Sequence, residues 1–339
     1  MSRLLSVTRV ALIAILVLAP GSLIVAQSRD KGPWWPSPHG AKDQAGNANY
    51  ITPQKVMKAA QLVKTGQMYE LGQIYEASMP AFGSRPYYIN VVPAPGQIAK
   101  EGVGSVHQDY FNGYIGQMGT QFDAFGHMGR SVKMADGSVQ FVYYNGFSEQ
   151  DLTGRNRGQG GLEALGVEHV KPIITRGVLI DIAGAKGVPT LDAAYEVMMA
   201  DVRAALARQK MTENSIEQGD AVLFNYGWAA NWTNPSKYND GRVGVGENKG
   251  SPGIGFEVAR WLTERKVAMV GADSCCVMVM PESKAGNVHH ELLLNGTYIL
   301  ENMNLLELAR DQVYEFMYSG QTLRIKGATG SPVRPIAIR

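Results

Sequence analysis

Cysteine is almost absent: the 339 residues hold two, and they are neighbours, Cys275 and Cys276. An adjacent pair cannot build a disulfide framework, and a thiolate metal site needs more cysteines at wider spacing. The pair reads as two buried thiols on opposite faces of a strand, with a strained vicinal disulfide as the alternative in an exported chain. Charge is sparse, at 18% of residues, and nowhere gathers into a basic cluster. That argues against a nucleic-acid or polyanion partner. Beyond the first 26 residues no stretch is long and apolar enough to cross a bilayer. A Gly-x-Ser-x-Gly elbow, a Walker loop and a His-Glu-x-x-His helix are all missing, which removes three common catalytic classes. Gly102-Val-Gly104 and Gly244-Val-Gly246 are isolated glycine pairs, too weak a signal for nucleotide binding.

What is present fits a globular enzyme. Hydrophobic residues make up 45% of the chain, enough for a large core, and 39 glycines imply many tight turns. The N-terminus stands apart. Arg3 and Arg9 precede an apolar run, Val10 to Leu18, that Pro20-Gly21 breaks, and Ala26 offers a small residue for cleavage. Residues 1–26 read as a secretory signal peptide, which places the mature protein in the periplasm or outside the cell. Its removal takes two arginines and no acids, so 32 basic residues become 30 against 30 acidic ones.

Residues 27–339 then read as a single domain. Residues 27–51 form an extended arm, held by Trp34 and Trp35. Thr52-Pro53 starts a helix that Gly66 follows. Met68–Ile74 and Tyr87–Val92 alternate like strands, separated by a Pro- and Gly-bearing loop suited to line a substrate mouth. Residues 93–113 read as loop, with His107 at the surface. From Leu162 the pattern is α/β. A short helix is expected at Leu162–Leu165, strands at Gly177–Ile182, Gly219–Asn225, Val267–Gly271 and Thr297–Leu300, and helices at Thr190–Gln209, Gly255–Lys266 and from Val288. Closing strands are expected at Val313–Met317 and Thr322–Ile325, before a Pro-punctuated tail from Ser331. Asp273 follows the Val267–Gly271 strand, where such proteins place functional groups, although it suits a turn or helix cap as well.

One stretch carries chemistry: Gln117-Met-Gly-Thr-Gln-Phe-Asp-Ala-Phe-Gly-His127. Gln117, Gln121, Asp123 and His127 are all odd-numbered, so an extended chain projects them to one side. A carboxylate, an imidazole and two amides on one face suit a hard-metal or acid–base site; the polar face of a surface strand is the other reading. Further on, His289 and Glu301 flank a helix and a returning strand, so both can reach one spot. A glutamate closing a buried strand needs a partner, which a metal, an imidazole or an arginine can supply. His290 is expected to face solvent or to support the site from behind. Oxygen and nitrogen donors of this kind suit Mn²⁺ or Zn²⁺ more than copper or an iron–sulfur cluster.

The same stretch resembles the hallmark of the bacterial cyclase family, His-x-Gly-Thr-His-x-Asp-x-Pro-x-His, a family that includes kynurenine formamidase and isatin hydrolase. Similarity extends through Asp43-Gln44, Asn49–Pro53, Tyr144-Asn-Gly146, Arg176–Asp181, Gly219-Asp220, Gly227-Trp228, Gly271-Ala-Asp273, His289, Glu301-Asn302 and Gly327–Pro335. The resemblance implies a three-layer β/β/α swivelling-domain fold within the α/β class, assembled as a homodimer or homotetramer. It implies Asp123, His289 and Glu301 as metal ligands and His127 as the acid/base. Gln117 and Gln121 replace two histidine ligands of the hallmark. The set is therefore short of donors for a zinc pair, and one divalent ion is implied, Mn²⁺ in preference to Zn²⁺, with Gln121 lending its oxygen. The implied reaction is hydrolysis of an amide-type C–N bond by metal-activated water, in an aryl formamide, cyclic imide or lactam. The substrate is then a small aromatic or cyclic molecule, packed by Phe125, Tyr144 and Trp228. A lyase, dehydratase or lactone hydrolase on the same site, or an exported binding protein without catalysis, are the alternative readings.

Overall fold

The computed structural model describes residues 32–81, 85–93, 99–154, 159–239 and 250–339. The expected signal peptide and the first residues of the arm lie outside that range.

Fifteen strands are described. They are β1 (Met68–Glu70), β2 (Tyr87–Pro93), β3 (His107–Gly113), β4 (Gln121–Asp123), β5 (Arg130–Lys133), β6 (Val139–Val142), β7 (Ile174–Asp181) and β8 (Glu196–Val197). Then come β9 (Ala221–Asn225), β10 (Gly253–Ile254), β11 (Met269–Ala272), β12 (Tyr298–Glu301), β13 (Glu315–Ser319), β14 (Gly330–Pro332) and β15 (Ile336–Ile338). The helices are α1 (Pro53–Ala60), α2 (Glu149–Thr153), α3 (Ile182–Lys186), α4 (Met199–Arg208), α5 (Pro235–Asn239), α6 (Phe256–Glu264), α7 (Val288–Leu294) and α8 (Leu306–Arg310).

Nine strands make one mixed sheet in the order β1-β15-β13-β7-β9-β11-β12-β4-β14. Its centre, β7-β9-β11-β12, is parallel, and both flanks are antiparallel. The central strands are almost wholly buried, which explains why they read as continuous apolar runs such as Ala221-Val-Leu-Phe224. α1 packs on β7, and α6 packs on α7. Thr52 caps α1 by accepting from the Lys55 amide, with Pro53 at the first helical position.

Several sequence expectations change in detail. The helix expected over Thr190–Gln209 begins only at Met199. Ala194 takes a left-handed φ of 58°, and the Leu191 amide bonds to the Tyr226 carbonyl, so this segment instead forms β8 against β10. The expected Leu162–Leu165 helix is also absent. Leu165 has a φ of 60°, and its amide donates to Gln44 Oε1 of the arm at 2.7 Å. His107 opens β3 rather than sitting in a loop. No strand forms at Thr322–Ile325; the Pro-punctuated tail supplies β14 and β15 instead. Pro332 is tolerated because β14 is an edge strand, where a missing amide donor breaks no ladder.

The arm is pinned by polar contacts as well as by tryptophan. Trp34 Nε1 donates to the Tyr143 carbonyl at 3.0 Å, and Trp35 is buried. Asn145 Oδ1 accepts from the Ser37 amide at 2.6 Å, and the Tyr144 hydroxyl donates to Asp43 Oδ2 at 2.5 Å.

Candidate metal centre and active site

β4 lies between β12 and β14, and its register with β12 places Gln121 opposite Glu301 and Asp123 opposite Ile299. Gln121 and Asp123 are two residues apart, so they share a face with Glu301. The chain bends before β4. Gly119 adopts a φ of 58°, and a Cβ there would lie 2.5 Å from the Tyr75 ring. Extended alternation therefore holds only across Gln121–Asp123. The bend nonetheless returns Gln117 to the same spot: its Nε2 donates to Asp123 Oδ1 at 2.9 Å and lies 3.2 Å from His127 Nδ1. Asn302 secures the bend, its side chain donating to the Gly119 carbonyl at 2.7 Å.

His289 arrives from the first turn of α7. Asn287 caps that helix by accepting from the His290 amide, which sets the helix start. His289 Nε2 lies 3.1 Å from Glu301 Oε1 and 3.9 Å from Asp123 Oδ2. One donor atom each from Asp123, His289 and Glu301 falls within 4.8 Å of the others, and all three residues are buried. Among the described residues, Asp123 Oδ2 and His289 Nδ1 are buried without a hydrogen-bond partner. Burying a carboxylate oxygen with nothing to satisfy it is costly, and a divalent cation is the group that best resolves it. Two carboxylates and one imidazole also have the donor chemistry of a Mn²⁺ or Zn²⁺ site. Burial pushes the His289 imidazole below its ordinary value, against the pull of the Asp123 carboxylate, which favours the neutral form that a ligand needs.

The cluster opens into a cavity of about 310 Å³. His127, Gln117, Gln121, His289 and Glu301 line it, together with four methionines, Met118, Met128, Met278 and Met280. Pro80 and Arg85 line it too, as expected of the loop between β1 and β2. A larger depression of about 610 Å³ is lined by residues of α4 and α6, and no metal-ligating cluster accompanies it among the described residues.

The three aromatic residues expected to hold substrate do not line this cavity. Phe125 is stacked on Tyr298 at 4.1 Å and is 1% exposed. Tyr144 is spent on the arm through Asp43 and Ser37. Trp228 packs beside Tyr238, where it is 4% exposed. In each case the ring is worth more as buried area than as a cavity wall. Gln121 is in place, but its nearest polar group to Glu301 is the amide nitrogen, which donates to Glu301 Oε2 at 2.9 Å. In this arrangement it does not offer the cluster an oxygen.

His290 lines a separate cavity beside Trp34 and Arg130. Asp273 is a cap: its carboxylate accepts from the Tyr226 amide at 2.8 Å and the Ala229 amide at 3.2 Å. Cys275 and Cys276 are buried and not joined in a disulfide. They follow β11 in a bend rather than alternating along a strand, and both line the same cavity as His127 and Glu301. The cysteine and methionine walls were missed from sequence, because spread-out Met residues carry no periodic signal that separates wall from core.

The site and its fold belong to a recognisable class. The family profile for cyclases matches residues 69–277, more than half of the chain. The protein therefore belongs to the cyclase family, and its mixed α/β architecture is the cyclase-like one expected from the sequence. A solved structure described as a novel cyclase is 31% identical, covers 89% of this chain and 98% of its own, and superposes with a TM-score of 0.74. Isatin hydrolase A from Ralstonia solanacearum is 19% identical, covering 85% of this chain and 98% of its own with a TM-score of 0.58. Isatin hydrolase A from Labrenzia aggregata, solved with benzyl benzoate, is 19% identical, covering 82% and 94% with a TM-score of 0.54. No curated protein matches the chain.

Proposed function

We propose that this protein is a metal-dependent hydrolase that cleaves an amide-type C–N bond in a small aromatic or cyclic molecule, such as an aryl formamide, cyclic imide or lactam. The observation that carries the proposal is the buried Asp123, His289 and Glu301 cluster, with its unsatisfied Asp123 Oδ2, open to a cavity that also holds His127. Those three residues would hold one divalent ion, with Mn²⁺ favoured over Zn²⁺ by the oxygen-rich set. Such an ion lowers the pKa of water and polarises a carbonyl. The protein's own share is to hold the carboxylates fixed through Gln117 and Gln121, and to exclude bulk water with methionine side chains. Those thioethers adapt to a flat ring without demanding one shape. His127 lies across the cavity, placed to meet the reacting group by proton transfer or by hydrogen bonding.

Isatin hydrolases support this reading only through the shared fold, so the substrate class rests on the family resemblance of the sequence. We further propose that the mature chain is exported and works as a homodimer or homotetramer. The test is metal analysis of the gently purified chain, coupled to a turnover screen of formamides, cyclic imides, lactams and lactones. About one divalent ion per chain with turnover of the amide-type compounds is expected. Metal-free protein that binds but does not turn over these compounds would favour an exported binding protein instead.

A further inference from the structure

Gln117 and Gln121 link His127 to Glu301 as a chain of amides, and the chain has a direction. Gln121 Nε2 lies 2.9 Å from Glu301 Oε2 and 3.1 Å from Gln117 Oε1. The Gln121 atom that faces Glu301 is its NH₂, which donates to the carboxylate oxygen. The second hydrogen of that NH₂ needs an acceptor, so the Gln117 atom it meets is the carbonyl oxygen. Gln117 must then turn its own NH₂ the other way, where it meets Asp123 Oδ1 at 2.9 Å and His127 Nδ1 at 3.2 Å. Reversing either amide sets oxygen against a carboxylate. The orientation of each glutamine is assigned from this network of hydrogen bonds, with a carboxyl group at each end.

We infer that Gln117 is a positioning residue that holds His127 in the tautomer protonated at Nε2, so that His127 works as a hydrogen-bond donor to the substrate and not as a proton acceptor. An Nδ1 that receives a hydrogen bond from the Gln117 amide carries no proton of its own. In a neutral imidazole the proton must then sit on Nε2. That nitrogen has no protein partner among the described residues, and the ring borders the cavity. A neutral imidazole of this kind stabilises negative charge developing on a carbonyl oxygen without giving up its proton. Where the family hallmark has an imidazole, this chain has the amide that sets the tautomer.

The functional meaning rests on the hydrolase reading, but the test reads the imidazole directly. The chain is labelled with ¹⁵N-histidine and examined by NMR at a pH where the ring is neutral, after chelation and again after loading with Zn²⁺. His127 is assigned by its loss in His127→Gln. The wild-type spectrum should show the directly bonded proton on Nε2 alone. In Gln117→Glu the neighbour becomes an acceptor, and the proton should move to Nδ1. In Gln117→Met the lock is gone, and both tautomers should exchange. A wild-type ring protonated at Nδ1 would overturn the inference, as would Nε2–H retained unchanged in both variants. The wild-type spectrum is decisive even if one variant fails to fold. An Nε2–H ring in a chain without hydrolase activity would refute the proposed reaction alone; hydrolysis with an Nδ1–H ring would refute the tautomer assignment alone.

Discussion

Gln117 and Gln121 occupy positions where the family hallmark has imidazoles, and each spends its amide on a neighbouring carboxylate. The residues that would hold a cation are Asp123, His289 and Glu301. Asp123→Ala removes a fully buried carboxylate oxygen that has no hydrogen-bond partner, so metal content should fall from about one ion to nearly none, as mass spectrometry of the purified protein would show. Retention of full metal content would sink the ligand assignment. His127→Ala should keep the metal and lose roughly 10²–10³ in kcat, the cost of one donor at a developing oxyanion. Asp273 gives the pH dependence of stability. Burial lifts its carboxyl from 3.8 to about 7, against the pull of the backbone amides it caps. A raised folded-state pKa means that the group's contribution is complete below its unfolded value and lost as pH rises through the folded one. Stability should therefore decline between about pH 4 and pH 7. Asp273→Asn should flatten that slope in denaturant titrations across the same range.

At the scale of elements, β4 matters most because it is only three residues long yet joins β12 to β14. Its brevity explains why alternation was a partial guide. Gln121 and Asp123 obey it, whereas Gln117 and His127 reach the site through bends that no period describes. α1 shows a different coupling. Lys55, on its buried side, pairs with Asp220 at 2.5 Å, and Arg176 of β7 pairs with the other oxygen at 2.8 Å. Lys55→Met should leave Asp220 half-neutralised and cost roughly 3 kcal/mol, within the range for breaking a buried ion pair. Urea denaturation would measure it; a change under about 0.5 kcal/mol, the scale of an ordinary surface substitution, would show that Arg176 suffices. The Gly219-Asp220 pair was visible as a family-like motif, but its purpose as an anchor for α1 was not. The parallel core strands were the most legible elements, since burial on both faces writes apolar residues at every position. Two of the segments read wrongly, Leu162–Leu165 and Thr190–Met198, are ones where a residue takes a left-handed φ and a nearby amide meets a group distant in the chain.

At the scale of the whole molecule, one exposed apolar feature among the described residues is the ribbon of β2 and β3. β2 and β3 pair as a two-stranded ribbon whose residues are largely exposed, including Tyr88, Ile89, Val91, Tyr110 and Phe111. An isolated ribbon is marginal in water, and so many apolar side chains on it suit a covering surface. A second copy of the chain is the expected cover. Light scattering should give a dimer or tetramer, and Ile89→Lys with Tyr110→Glu should shift it toward monomer while metal content stays constant. An unchanged mass would assign the ribbon another purpose. Sequence alone made the central strands legible, because burial on both faces is written into residue type, and its family resemblance named Asp123, His289 and Glu301, which the fold brings together. Only the tertiary structure decided that Phe125, Tyr144 and Trp228 serve the core and the arm, and that methionines and both cysteines wall the cavity. It alone decided that Gln117 and Gln121 form a directed chain of amides. Which apolar side chain borders an empty space, and which end of an amide faces a carboxylate, depend on neighbours as far as 180 residues away along the chain.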